Sequence, residues 1–283
     1  MARSIVFLSD YGLEDEFVGI CHGVIERLAP GTSVIDLTHA VPMQDVLRGA
    51  LLLAQSIRYM PDDALFLGIV DPGVGTGRRP LALSTRAGRL LVGPDNGLLQ
   101  PSWDELGGVD RVVEIASEEV TLSPLSATFH GRDVFAPAAA ALANGASVEQ
   151  LGPAVDPATL VSIPIAEPIT RPGRIDGQVL AIDRFGNVEL NVRWADLERA
   201  GLHDVPDLLA DAEDQTVILS SALTFGDLSE GELGLLNDSS GWMAIVLNGA
   251  SAAEALRVQP GEAVTLRRPD ERDRAVRLRS GVG

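Results

Sequence analysis

The chain has 283 residues, 46% of them hydrophobic, which is enough for one large or two ordinary domains and too much for a disordered protein. Its 40 acidic against 22 basic residues leave a formal charge of −18, which repels nucleic acid phosphates and anionic membrane surfaces; the balance either favours a neutral or cationic ligand or simply keeps the protein soluble. The lone Cys21 excludes an intramolecular disulfide and any multi-cysteine zinc site, and with neither a signal-peptide pattern nor an apolar run of spanning length the expectation is a soluble, cytoplasmic protein with no nucleic acid or membrane partner.

Residues 4–9 read as a buried strand that delivers Asp10-Tyr11-Gly12 and the acidic cluster Glu14, Asp15 and Glu16. Phe17, Ile20, Val24 and Leu28 then recur at helical spacing over residues 16–28, stopped by Pro30 and Gly31. A short strand at 34–37 ends in Thr38-His39, and a helix is expected from Gln44 to about Tyr59. The apolar run 64–70 is a further buried strand, so Asp71, like Asp10, is placed at the C-terminal mouth of a strand, where open α/β sheets bind ligands. A hairpin follows, with strands at 81–85 and 89–93 about Ala87-Gly88, leading to Pro94-Asp95-Asn96-Gly97. Phe129-His130-Gly131-Arg132-Asp133 precedes an alanine-rich helix at 134–144 with Pro137 in its first turn, where proline is tolerated.

Between the strand at 64–70 and the hairpin lies Val70-Asp71-Pro72-Gly73-Val74-Gly75-Thr76-Gly77-Arg78-Arg79-Pro80. Its glycine spacing matches neither common phosphate loop, and the next element is a strand, so no helix N-terminus is available to hold a phosphate. The residues leave two readings open: a rigid connector with solvated arginines, or a loop that positions Asp71 and an arginine for chemistry.

The character changes near Ile165. Residues 166–173 read as a linker, followed by short strands at 178–182, 188–192, 216–219, 232–236, 242–247 and 263–267, interrupted by the polar knots Asp183-Arg184-Phe185-Gly186-Asn187 and Asn237-Asp238-Ser239-Ser240-Gly241; the charged tail after Leu266 is expected to fray. The fold class expected is an α/β N-terminal domain with a largely parallel sheet, residues 1–165, joined by the linker to a smaller, mainly-β, barrel-like C-terminal domain, residues 174–283.

In this order, the Asp10-Tyr11-Gly12 opening, the 70–79 loop, Pro94-Asp95-Asn96-Gly97, the His130 segment and the two polar knots resemble the S-adenosyl-L-methionine hydroxide adenosyltransferases, adenosine-forming hydrolases related to the fluorinase and chlorinase enzymes. The resemblance covers nearly the whole chain. It implies hydrolysis of S-adenosyl-L-methionine to adenosine and methionine without a metal or other cofactor, and a homotrimer with active sites at subunit interfaces. It implies a water-positioning triad of Asp71, Arg78 and His130, with Arg79 the neighbouring alternative to Arg78. It further implies substrate contacts from Asp10 to the ribose hydroxyls, from Asp15, Asp183 and Ser239 to the methionine ammonium and carboxylate, and from Asn187 to the adenine edge, with Asn96 an additional candidate. Phe17 and Gln44 depart from the halide enzymes' pattern, and with Arg78 and His130 they argue for water as the nucleophile. The competing expectations are halide transfer to C5′, a non-catalytic binder of adenosyl ligands, and a metal hydrolase built from Asp10, Asp71, Asp95 and His130. His22, His39 and His203 are read as structural or surface residues.

Overall fold

A computed structural model describes residues 3–213 and 215–270, so most of the charged tail lies outside the described residues. The chain divides into two compact units, Met1–Pro164 and Ile165–Gly283.

The first unit contains β1 (Ile5–Ser9), α1 (Phe17–Leu28), β2 (Val34–Thr38), α2 (Val46–Ser56), β3 (Leu65–Ile69), β4 (Pro80–Thr85), β5 (Leu90–Pro94), α3 (Gln100–Glu105), β6 (Val109–Glu114) and α4 (Ala136–Ala143). The sheet order is β2-β1-β3-β5-β4-β6; β2, β1, β3 and β5 run parallel and β4 is reversed between β5 and β6. The central strands β1, β3 and β5 are fully buried because both faces are covered, whereas the edge strands β2 and β6 carry exposed polar residues. Ile5 and Phe7 of β1 join Leu65, Leu67, α1 and α4 in one core, while the alternate residues Val6 and Leu8 join Phe66, α2 and Trp103 of α3 in the other. β1 and β3 are in register, Ser9 opposite Ile69, so Asp10 and Asp71 leave neighbouring strands at the same edge of the sheet.

Two helix boundaries differ from the sequence reading. Gln44 has φ 64°, which no helix accommodates, so α2 begins only after Asp45, whose carboxylate caps it by accepting from the Arg48 N–H; its last turn, 57–59, tightens to 3-10 form. The alanine-rich helix is preceded by a π-helical turn over Gly131–Phe135, so His130 stands at the start of a widened turn rather than ahead of an ordinary helix.

The second unit contains β7 (Ile169–Arg171), β8 (Arg174–Ile182), β9 (Val188–Arg193), α5 (Trp194–Ala200), β10 (Asp207–Ala212), β11 (Gln215–Ser221), β12 (Leu233–Asn237), β13 (Trp242–Leu247), α6 (Ala252–Leu256) and β14 (Ala263–Arg267). β14, β10, β11, β12, β13, β9 and β8 follow one another, and β8 pairs back with β14, closing a barrel of seven strands. β7, which falls inside the stretch read as a linker, adds to the edge of β8. Inward residues such as Val179, Leu190, Leu208, Leu219, Leu235 and Ile245 fill the interior. Among the described residues no helix is long and apolar enough to cross a membrane.

Candidate active site

In the first unit a cleft of about 360 Å³ opens at the C-terminal mouths of β1 and β3, lined among others by Asp10, Tyr11, Asp15, Gln44, Asp71 and His130. The Asp10 carboxylate is fixed by the Gln44 N–H, which donates to Oδ2 at 2.9 Å, and the left-handed backbone of Gln44 belongs to the turn that makes this approach. Asp15 is exposed at the rim, next to Phe17.

Asp71 is held from behind. Arg78 Nε donates to Asp71 Oδ1 at 2.8 Å and Nη2 to Asp71 Oδ2, a side-on pair with both side chains less than a tenth exposed. The same Nη2 donates to His130 Nδ1 at 2.9 Å. A guanidinium has no acceptor, so this bond requires a lone pair on Nδ1 and places the proton of a neutral ring on Nε2. Burial, and then the Arg78 charge, lower the His130 pKa, which keeps the ring in that neutral form. Arg78 does not line the cleft. It joins the aspartate to the histidine, packs its guanidinium 5.0 Å from the centre of the Phe135 ring, and keeps Nη1 as a buried donor without a partner.

The loop that spans Asp71 and Arg78 depends on one of its glycines above the others. Gly75 has φ 75°, and a β-carbon there would lie 2.4 Å from the Ala127 carbonyl oxygen, so the loop is seated directly against the segment that leads to His130. Gly131 is constrained from the other side, since a β-carbon would meet the Tyr11 hydroxyl at 2.2 Å. Burial raises the pKa of that hydroxyl well above its ordinary value, so it remains a neutral donor facing the cleft.

Arg79 turns away. Its Nε and Nη2 donate to Asp95 Oδ2 at 2.8 and 2.5 Å, and Nη1 to Thr159 Oγ1 at 2.9 Å, so it braces the loop against the end of β5. Asn96 is likewise outside the cleft lining: its side-chain amide donates to the Val70 carbonyl at 2.8 Å and ties down the residue before Asp71. Asp95, the third carboxylate of the metal-hydrolase alternative, is occupied by Arg79 and by the Val161 N–H, and it does not line the cleft with Asp10, Asp71 and His130.

The barrel carries a separate cavity of about 920 Å³. Its lining includes Asp183, Asn187 and Ser239 together with Phe185, Leu223 and Phe225, apolar side chains that the sequence reading did not single out and that are strongly to half exposed. Asp183 organises its own loop: Oδ1 accepts from the N–H groups of Phe185 and Asn187 at 2.8 and 2.9 Å, and Oδ2 accepts from Asn187 Nδ2 at 2.7 Å. That leaves the Asn187 Oδ1 acceptor directed by a fixed amide plane.

A carboxylate and a neutral imidazole joined by one guanidinium at the mouths of parallel strands, in a chain that also carries a β-barrel with a cavity lined by both polar and apolar side chains, define a two-domain enzyme of small-molecule chemistry. Residues 5–152 match the SAM hydroxide adenosyltransferase N-terminal domain and residues 177–265 the C-terminal domain of the same description. The chain is 49% identical over 261 residues to the (R)-S-adenosyl-L-methionine hydrolase of Salinispora tropica, covering 91% of this chain and 95% of that one. It is 28% identical over 289 residues to a fluorinase of Actinoplanes sp., covering 93% and 96%. The crystal structure of an uncharacterized conserved protein from Thermotoga maritima matches with a TM-score of 0.87 at 32% identity, over 93% of this chain and all of that one. This chain belongs to the SAM hydroxide adenosyltransferase family.

Proposed function

We propose that the protein hydrolyses S-adenosyl-L-methionine, as the (R)-sulfonium epimer named for its relatives, to adenosine and L-methionine by in-line attack of water on the ribose C5′. The observation that carries this reading is the Arg78 bridge, which leaves Asp71 with acceptor capacity and His130 with an Nε2–H donor, both on the wall of one cleft. The sulfonium leaves as neutral methionine and needs no acid, metal or redox group. What the reaction lacks is a nucleophile. His130 Nε2–H donates to the water oxygen, Asp71 accepts one of its protons, and Arg78 acts through both by fixing their positions. Partial hydroxide meeting a sulfonium cancels charge, which a site closed to bulk water favours. Holding the water on the line opposite sulfur supplies on the order of several kcal/mol of barrier lowering.

Asp10 takes the ribose hydroxyls and Asp15 the methionine ammonium. Asp183 and Ser239 complete the methionine site and Asn187 reads the adenine edge, with Phe185 and Phe225 offering their ring faces. Each cavity is lined in part by exposed apolar side chains, Phe17 and Met43 at one and Phe185, Leu223 and Phe225 at the other, which supports a substrate covered from both sides. A homotrimer in which the α/β unit of one subunit and the barrel of the next enclose the substrate is part of this reading, as is a cytoplasmic location, where the substrate is made.

The test is product analysis. Purified protein in heavy-oxygen water is expected to release methionine and adenosine labelled at the 5′-hydroxyl, with or without chloride and fluoride. Intact substrate, or 5′-halo-deoxyadenosine as the main product, would refute it. Asp71→Asn is expected to bind substrate within a few-fold of the parent and to turn over about 10³-fold more slowly; unchanged turnover would remove Asp71 from the chemistry.

A further inference from the structure

A second cluster of chemically able side chains lies apart from the cleft lining. His22 of α1, Asp36 of β2 and His39, just past the end of β2, converge so that their ligand atoms all lie within 4.8 Å of one another. His22 Nε2 is 2.8 Å and His39 Nε2 3.0 Å from the same oxygen, Asp36 Oδ1. His39 is 4% exposed, and its Nε2, although close to the carboxylate, lacks the alignment of a hydrogen bond and has no other partner. A buried ring nitrogen aimed at a carboxylate without hydrogen bonding to it is a costly arrangement for a protein to maintain by itself.

The ring is not there by accident of looseness. Its Nδ1 lies 2.7 Å from Ser9 Oγ, and the Phe7 ring packs edge-on against it with centroids 4.6 Å apart. A polar partner on the far nitrogen is how metal-ligating histidines are oriented. With Nδ1–H given to Ser9, Nε2 presents a lone pair toward the carboxylate, an arrangement that a cation between them satisfies.

We propose that His22, Asp36 and His39 form a binding site for a divalent transition-metal ion of the zinc class. Two imidazoles and one carboxylate are a donor set for zinc, cobalt and nickel, whereas magnesium and calcium prefer oxygen ligands. Tetrahedral ligand atoms about 2.0 Å from zinc stand roughly 3.3 Å apart, so the two short contacts need to open by only a few tenths of an ångström. His22 can supply that movement, because its side chain and that of Asp36 are partly exposed at 34% and 43%; the same exposure gives the ion a route in and leaves further coordination positions to water. The ion would cross-link α1 to the end of β2 beneath the Asp10 loop, where the His39 carbonyl accepts the Gly12 N–H at 2.7 Å and Ser9 directly precedes Asp10. It takes no part in the reaction proposed above.

Tag-free protein, stripped with a chelator and dialysed, is titrated with Co²⁺ and Zn²⁺ by calorimetry and by visible absorption of the cobalt form. One ion per chain is expected, with cobalt absorption of low-symmetry character that zinc displaces, and no comparable response to Mg²⁺. His22→Ala and Asp36→Asn, both at partly exposed positions, should each weaken binding by more than the roughly 10–100-fold that loss of an orienting partner alone costs, and Ser9→Ala should fall within that range. Absence of stoichiometric binding in the parent, or unchanged affinity in both His22→Ala and Asp36→Asn, would overturn the proposal. The readout is binding rather than turnover, so either outcome leaves the hydrolase reading untouched.

Discussion

Replacing Arg78 by lysine keeps the positive charge and removes the geometry that joins Asp71 to His130. The guanidinium makes a two-point contact with Asp71 and a third bond to His130 Nδ1, whereas an ammonium on a shorter reach keeps at most one of these well formed. Losing two charge-assisted hydrogen bonds in a site where both side chains are more than nine-tenths buried costs about 3 kcal/mol, taking the lower value for each. For a unit of this size that lowers Tm by about 6–12 °C. On turnover, an imidazole freed from its tether no longer holds the water on line, and a misplacement of about 1 Å costs on the order of 10²-fold in kcat. KM is expected to change little, because Asp10, Asp15 and the barrel residues are untouched. The assay is adenosine release over a range of substrate concentrations, alongside thermal unfolding. A kcat within about threefold of the parent, in a variant that is measurably less stable, would refute the argument that Arg78 works by positioning Asp71 and His130.

Three further outcomes are expected. His130 titrates below its ordinary value of 6.5, so the unfolded chain takes up this proton first as the pH falls; the contribution of His130 to stability is constant above about pH 6.5 and is lost below it, and the acid limb of turnover should lie below pH 6.5, so a limb centred at pH 7 or above would contradict the neutral Nε2–H form. Gly75→Ala forces a left-handed backbone on an L residue and a contact with the Ala127 carbonyl, and should cost at least about 2 kcal/mol in thermal or denaturant unfolding and slow turnover roughly tenfold or more by displacing the loop. Burial pushes the Cys21 thiol up to about 12, so Cys21 should resist thiol reagents at pH 8 until the protein is unfolded, and prompt labelling of the native protein would contradict its burial in the first core.

Elements whose apolar residues all face a core were the most legible. The strands at 5–9 and 65–69 are apolar on both faces, and only a doubly covered sheet buries such runs, so the strand mouths that carry Asp10 and Asp71 followed from composition and length. β10 was missed because Asp207, Asp211 and the two alanines Ala210 and Ala212 in DLLADA carry little strand propensity, and the pairing with β11 and β14 decides its state instead. α3, with Pro101 in its first turn and only Gln100–Glu105 in length, has no helical period to detect. At the site, the family resemblance implied Asp71, Arg78 and His130, with Arg79 as the neighbouring alternative; what the sequence did not show is that seven residues of loop bring Arg78 back to Asp71 while Arg79 reaches Asp95. The cluster of His22, Asp36 and His39 gave no signal, because its spacings of fourteen and three residues match no metal motif and become meaningful only when α1 packs over β1 and β2.

Asp10 and Asp71 follow the ends of two adjacent parallel strands held in register, Ser9 opposite Ile69. The main-chain points from which the group assigned to the ribose and the group assigned to the incoming nucleophile depart are therefore set by two paired strands about 4.8 Å apart, while Gln44 and Arg78 set where the two carboxylates point. A scaffold with that property can have the 71–78 segment rebuilt for another attacking atom while the sugar stays where it was. The sheet serves as a fixed ruler, and the loops are the interchangeable jaws mounted on it.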